Sequence, residues 1–144
     1  MKKKRVLFVC VNNSARSQMA EAFFNHLASE DYEAMSAGLE PGELNPLAVE
    51  VMKEVGIDIS QNKTKSVFEL YRRGELFAYV IAVCDAQAAE KCPNFPGLLT
   101  QTIFWNIEDP ASFIGTYEEK LNKMRQIRDL LKTKVESFLQ SLRA

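Results

Sequence analysis

An apolar run that stops on a cysteine and turns at once into a helical pattern restricts this chain more than any other feature. Residues Val6-Leu7-Phe8-Val9-Cys10 read as a buried strand, Val11-Asn12-Asn13-Ser14-Ala15 as a short loop, and Arg16 to about Ser29 as a helix with Met19, Ala22, Phe23 and Leu27 on one face. Strand, loop and helix N-terminus together make a place for an anion. Successive loop N–H groups form a nest, and the helix dipole adds positive potential. Arg16 closes the loop, and a guanidinium can fork two oxygens of a tetrahedral oxyanion. Cys10 begins the loop, in a field that favours thiolate over thiol. The segment reads as a sulfur nucleophile aimed at a phosphate-like anion.

Beyond it the pattern keeps alternating. Tyr32 to Ala37 reads as a second strand, stopped by Gly38. Asn45 is a good N-cap and Pro46 a good first residue for a helix running to Val55, which Gly56 ends. Ser66 to Glu75 has a short amphipathic pattern, Phe77 to Val83 is a second continuous apolar run ending at Cys84, and Leu99 to Trp105 is a weaker fourth strand. From Thr116 or Tyr117 onward, Leu121, Met124, Ile127, Leu131, Val135, Phe138 and Leu142 step by three or four, the mark of one long helix with a core-facing stripe. Strands alternating with helices imply right-handed crossovers and a parallel sheet, with the two most apolar strands in the middle. Ligands in such sheets bind beyond the C-terminal strand ends. Cys10, Cys84 and Asp109 all follow strand ends, so this architecture would gather them at one edge.

With 144 residues the chain is long enough for one domain spanning residues 1–144. A net charge of −1 gives no reason to expect nucleic acid or an anionic membrane as partner, and the apolar run behind Lys2-Lys3-Lys4-Arg5 is too short to span a bilayer. A cytoplasmic location is the expectation. Three cysteines, an odd number, argue against a secreted disulfide framework, and their spacing lacks the paired pattern of a zinc site. No metal and no bound cofactor are expected.

Several residues carry two local readings. Ser17 fits a donor to the Cys10 sulfur or an ordinary helix-start serine, and Asn13 fits a brace for the loop or an Asx turn. Asp109-Pro110 is a turn signal as well as a place for a general acid. Cys84 fits an inert core thiol, or an attacker of Cys10 if strands one and three are neighbours. Adjacent strands lie about 4.8 Å apart, and a disulfide needs Cα atoms about 4.4–6.8 Å apart. Cys92 lies eight residues on, about 12 Å away in a continuous helix. A Cys84–Cys92 pair would therefore require the stretch Asp85–Lys91 to lose helical structure, or to lack it already. His26 reads as a surface residue, and Tyr71 and Trp105 as packing residues.

Cys10 to Ser17 followed by Gln18-Met19-Ala20-Glu21-Ala22 resembles the low-molecular-weight protein tyrosine phosphatase superfamily. The likeness continues through Ser36-Ala37-Gly38, Asn45-Pro46, Val55-Gly56-Ile57-Asp58-Ile59-Ser60, Cys84, Cys92-Pro93 and Asp109-Pro110. Within the superfamily the chain looks most like the thioredoxin-coupled arsenate reductases. The resemblance implies a single-domain α/β three-layer sandwich, with a four-stranded parallel sheet of order 2-1-3-4 and helices on both faces. It implies that the loop Val11, Asn12, Asn13, Ser14, Ala15, Arg16 and Ser17 binds the oxyanion, with Cys10 the nucleophile and Asp109 the general acid. It further implies a relay in which Cys84 attacks Cys10, Cys92 attacks Cys84, and thioredoxin, as external reductant, reopens the Cys84–Cys92 disulfide.

The chain departs from the pattern in places. Asn12 stands where glycine is usual, and asparagine tolerates a left-handed backbone. Ala111 and Ser112 follow the Asp-Pro pair where phosphatases commonly carry an aromatic, which suits a small inorganic substrate such as arsenate. Some members hold potassium on residues matching Asn13, Glu21 and Ser36, but the acidic partner expected near Lys65 or Ser66 is missing. A phosphatase using Cys10, Arg16 and Asp109 alone is the alternative reading, and a binding module without turnover is a third.

Overall fold

The computed structural model describes residues 3–84, 90–91 and 100–143. Among the described residues the elements run β1 (Lys4–Cys10), α1 (Arg16–Leu27), β2 (Tyr32–Gly38), α2 (Pro46–Glu54), α3 (Val67–Arg72), β3 (Tyr79–Ala82), β4 (Gln101–Phe104), a 3-10 turn (Pro110–Ser112) and α4 (Tyr117–Arg143). The strands form one parallel sheet of order β2-β1-β3-β4. The expected α/β sandwich is therefore present, with the apolar β1 and β3 in the middle.

The period of two in β1 divides the core. Val6, Phe8 and Cys10 face a large cluster with Met19, Phe23 and Phe24 of α1, Val51 and Met52 of α2, and Met124, Leu131 and Val135 of α4. Leu7 and Val9 face the other way, onto Val67 and Leu70 of α3 and Phe77. Helices thus cover both faces, the heavier layer being α1, α2 and α4. The stripe read from the sequence of α4 is buried from Leu121 to Phe138, and Leu142 packs partly buried at its end. Trp105 packs on Phe8 and Phe138 with ring centroids 5.8 and 6.3 Å apart.

Three expectations shift. The helix expected over 66–75 is only Val67–Arg72, because Gly74 turns left-handed at φ 73° and its N–H returns to the Tyr71 carbonyl. The strands expected over 77–83 and 99–105 shorten to four residues each, the length of the ladder that β3 and β4 share. Tyr71, expected to pack, is 45% exposed. No described helix is long and apolar enough to cross a membrane.

Polar contacts lock α2 to α4. Glu54 accepts from Arg125 Nε and Nη2 at 3.0 and 2.7 Å, and from Arg128 Nη1 at 2.8 Å. Arg128 also donates to the Val51 carbonyl at 3.0 Å. The Arg125 hydrogen bonds lead in pulling the Glu54 carboxyl down from 4.5 to about 2. A carboxyl whose folded pKa is depressed stabilises the fold above its unfolded pKa and loses that contribution as pH falls through its folded one. Glu54→Gln should therefore lower the melting temperature at pH 7, and the gap to the parent protein should close as pH falls from 4.5 towards 2. A constant gap across that range in thermal melts would refute the assignment.

Candidate active site

The loop between β1 and α1 gets its shape from a neighbouring segment. Beyond Gly38 the chain runs on beside the loop, and its N–H groups cap the loop's outward carbonyls: Leu39 to Cys10 at 3.1 Å, Glu40 to Val11 at 2.8 Å, Gly42 to Asn12 at 3.0 Å and Asn45 to Ser14 at 2.9 Å. With those carbonyls engaged outward, the loop's own N–H groups are left for the inner side. Asn13 takes the left-handed conformation, φ 55°, which asparagine adopts more readily than most residues. The left-handed residue is therefore Asn13 and not Asn12, whose expected role as a stand-in for a flexible glycine is not needed. The Asn12 side chain instead donates to the Glu40 carbonyl at 2.9 Å.

Backbone groups fix the amide orientations around the sulfur. The Lys65 N–H can only donate, and it reaches Asn13 Oδ1 at 2.9 Å. The other end of that amide, Nδ2, therefore donates to Ser17 Oγ at 2.7 Å. Ser17 Oγ lies 2.9 Å from Cys10 Sγ, where either atom can be the donor, and towards a thiolate, which only accepts, the hydroxyl is the donor. The Asn13 N–H supplies a second donor to the same sulfur at 3.2 Å. Gln18 is oriented likewise. Its Nε2 donates to the Lys63 carbonyl and to Asn13 Oδ1, both at 3.1 Å, and its Oε1 accepts from Asn62 Nδ2 at 3.1 Å. Asn13 thus braces the loop, and Ser17 is placed to donate to a Cys10 thiolate. Two donors converge on a sulfur that must carry negative charge to attack.

Arg16 is 4% exposed. Its Nη1 donates to the Ile107 carbonyl at 3.0 Å, and its Nη2 lies 3.8 Å from Asp109 Oδ1. The arginine is thereby held against the segment that carries the candidate acid. Ser112 secures that segment in turn, its N–H and hydroxyl both donating to the Asp109 carbonyl at 3.1 and 2.7 Å. Cys10, Asn12, Ser14, Ala15, Arg16, Asn45, Asp109 and Pro110 line a pocket of about 230 Å³, part of it open to solvent.

Cys84 is buried two residues past the end of the β3 ladder. The register Val9 to Ala82 sets Val83 level with Cys10, and the Val83 N–H donates to the Val9 carbonyl at 2.8 Å. Cys84 is the next residue, in the same apolar cluster as Cys10, and the two are not joined in a disulfide. Cys92 and most of the stretch 85–91, expected to rearrange, lie outside the described residues. His26 is exposed in the last turn of α1, away from the site.

Ser36 Oγ donates to Glu21 Oε1 at 3.2 Å. Burial pushes the Glu21 carboxyl up, while the positive charge of Lys65 pulls it down. Sequence reasoning gave no site role to Gln18, Asn62, Lys63, Thr64 or Ile107, and considered Lys65 only as the place of a missing acidic partner. Four of the contacts they make to the site use backbone atoms of Lys63, Lys65 and Ile107, which no residue type announces.

Gly38 is the closest approach in the site. A Cβ there would lie 2.7 Å from the Asn13 nitrogen, 2.8 Å from the Val11 oxygen and 2.9 Å from the Asn12 carbonyl carbon. All three are loop backbone, so Gly38→Ala must push the loop outward, at a cost of about 1–3 kcal/mol in stability. Phosphate binding by the variant, followed by calorimetry, should be lost or severely weakened. Unchanged affinity would show that the loop tolerates the shift.

Proteins of known identity resemble this chain over nearly its whole length. An arsenate reductase of Shouchella clausii (strain KSM-K16) is 38% identical over 142 residues, covering 98% of this chain and 99% of the relative. The arsenate reductase of Bacillus subtilis (strain 168) is 37% identical over 143 residues, with the same coverage. Among solved structures, an arsenate reductase in its oxidized state matches with a TM-score of 0.79 at 30% identity, covering 96% of this chain and 98% of that one. A low molecular weight protein tyrosine phosphatase from T. tengcongensis matches with a TM-score of 0.76 at 29% identity, covering 96% and 99%. A thioredoxin-dependent arsenate reductase of Corynebacterium glutamicum matches at 0.63 and 31% identity, covering 94% of this chain and 63% of that one. Residues 5–144 match the family described as low molecular weight phosphotyrosine protein phosphatase, and with that sequence match joined to the sheet order and the loop geometry, the chain belongs to that family.

Proposed function

We propose that this chain is an arsenate reductase that works by a relay of three thiols. The observation that carries the reading is the position of Cys84, one residue beyond the level of Cys10 on the neighbouring strand and in the same cluster. A phosphatase needs the loop thiol alone, whereas a reductase needs a second sulfur within reach of the first. The likeness to named arsenate reductases at 37–38% identity supports it.

Arsenate enters the loop with its oxygens on the inward N–H groups and the Arg16 guanidinium. The Cys10 thiolate attacks arsenic(V), and Asp109 gives a proton to the oxygen that departs as water. The Cys84 thiolate then attacks Cys10 Sγ. The electron pair of the sulfur–arsenic bond leaves with arsenic, which departs as arsenite, and a Cys10–Cys84 disulfide forms. Cys92 attacks Cys84 Sγ, releasing the Cys10 thiolate and leaving a Cys84–Cys92 disulfide. A dithiol of the thioredoxin class, the reductant named for the C. glutamicum neighbour, reduces that bond and is itself oxidised. We place the protein in the cytoplasm, where such a reductant is kept reduced.

The test is arsenate-dependent NADPH oxidation with thioredoxin and its reductase. Cys10→Ser, Cys84→Ser and Cys92→Ser should each abolish it. Full turnover in both the Cys84 and Cys92 variants would end the relay. Hydrolysis of para-nitrophenyl phosphate without arsenate turnover would favour a phosphatase using Cys10, Arg16 and Asp109, and anion binding with neither reaction would favour a binding module.

A further inference from the structure

The connector between α2 and α3 has no assigned role, and its residues lie outside the pocket lining. Five hydrogen bonds nevertheless join Asn62, Lys63, Thr64 and Lys65 to the anion loop and the parts that support it. Asn62 Nδ2 donates to Gln18 Oε1 at 3.1 Å, and the Lys63 carbonyl accepts from Gln18 Nε2 at 3.1 Å. The Lys65 N–H donates to Asn13 Oδ1 at 2.9 Å, and its carbonyl accepts from the Gly38 N–H at 2.8 Å. The Thr64 hydroxyl donates to the Gly42 carbonyl at 2.6 Å.

We infer that this connector is a splint for the oxyanion loop, and that Thr64 is a positioning residue which sets how tightly the loop holds its anion. The route is short. Gly42 presents its carbonyl to Thr64 and its N–H to the Asn12 carbonyl at 3.0 Å. Glu40, two residues earlier, holds Val11 by its N–H and the Asn12 side chain by its carbonyl. The segment Glu40–Gly42 is thus gripped between the loop on one side and Thr64 on the other. If it drifts, the carbonyls of Val11 and Asn12 lose the partners that turn the inner N–H groups towards the anion. Binding weakens, while the Ser17 hydroxyl, held by the Asn13 side chain and Lys65, stays beside the sulfur. Thr64 touches neither the anion pocket nor Cys10, so an effect on anion affinity must travel through Gly42.

The inference rests on the oxyanion reading of the loop, and the test separates the two. Inorganic phosphate is titrated calorimetrically into the parent protein, Thr64→Val and Thr64→Ser. Thr64→Val keeps the size of the side chain and removes its hydroxyl. A neutral hydrogen bond of ordinary strength corresponds to a rise in phosphate dissociation constant of about three-fold or more. Thr64→Ser should return to near the parent value. In the arsenate assay Thr64→Val should raise KM by a matching factor and leave kcat within about two-fold, as expected when binding to ground state and transition state weakens equally. Equal phosphate affinity in Thr64→Val and the parent would overturn the inference and leave the oxyanion reading intact. Weakened binding that Thr64→Ser fails to recover, or a loss confined to kcat, would overturn it as well. Absence of phosphate binding in the parent protein would overturn the oxyanion reading, and the inference with it.

Discussion

One backbone hydrogen bond organises the chemistry of this molecule. The Lys65 N–H has a single possible role, and by donating to Asn13 Oδ1 it decides which end of a buried amide faces Ser17. That leaves the Ser17 hydroxyl beside Cys10 Sγ, to which it donates once the sulfur is a thiolate. A buried amide that could flip would leave the serine free to accept rather than donate, and the sulfur would lose a donor. Buried polar groups in such a chain are costly unless every one is satisfied, so the network holds as a unit. Gln18 extends it to Lys63 and Asn62, which ties the nucleophile to a segment more than fifty residues away in the sequence.

The sheet supplies the second constraint. β1 lies between β2 and β3, so both neighbours meet the end of the nucleophile strand. On the β2 side, Gly38 pairs with Cys10 and offers no side chain, which lets the loop fold back over it. On the β3 side, the chain carries Cys84 past the same level. Arg16 then bridges to the far part of the sheet through the carbonyl of Ile107, beyond β4. The five-residue loop and the residues that bound it are in this way anchored to segments that follow β2 and β4.

Much of this was legible before any coordinates. The apolar runs ending at Cys10 and near Cys84, the Asn45-Pro46 helix start and the stripe from Leu121 to Leu142 are strong periodic or capping signals, and they gave the architecture and the edge where the site forms. Cys10 and Arg16 stood out because they bracket the loop between the first strand and the first helix, whereas Asp109, locally a turn signal, stood out through the family resemblance. Helix and strand ends were less legible: the Gly74 turn and the short β3–β4 ladder depend on pairing and on local dihedral angles rather than on composition. Tyr71 looked like a packing residue because its type is usually buried, yet the surface of a six-residue helix leaves it outside. The splint at Asn62 to Lys65 was invisible for a plainer reason. Most of its work is done by N–H and C=O groups that every residue owns, and Asn-Lys-Thr-Lys looks like any solvated turn.

The bracing of the loop has a consequence for what it can choose between. Its carbonyls are occupied, its left-handed residue is set and its arginine is held before any guest arrives. A receptor finished in advance recognises shape and charge, and the two common tetrahedral anions, phosphate and arsenate, share both. Discrimination must then come after capture, from the ease with which arsenic, unlike phosphorus, takes up an electron pair from sulfur. Cellular phosphate would accordingly be a standing occupant of the site, and the protein's output would follow the ratio of the two anions rather than the amount of either.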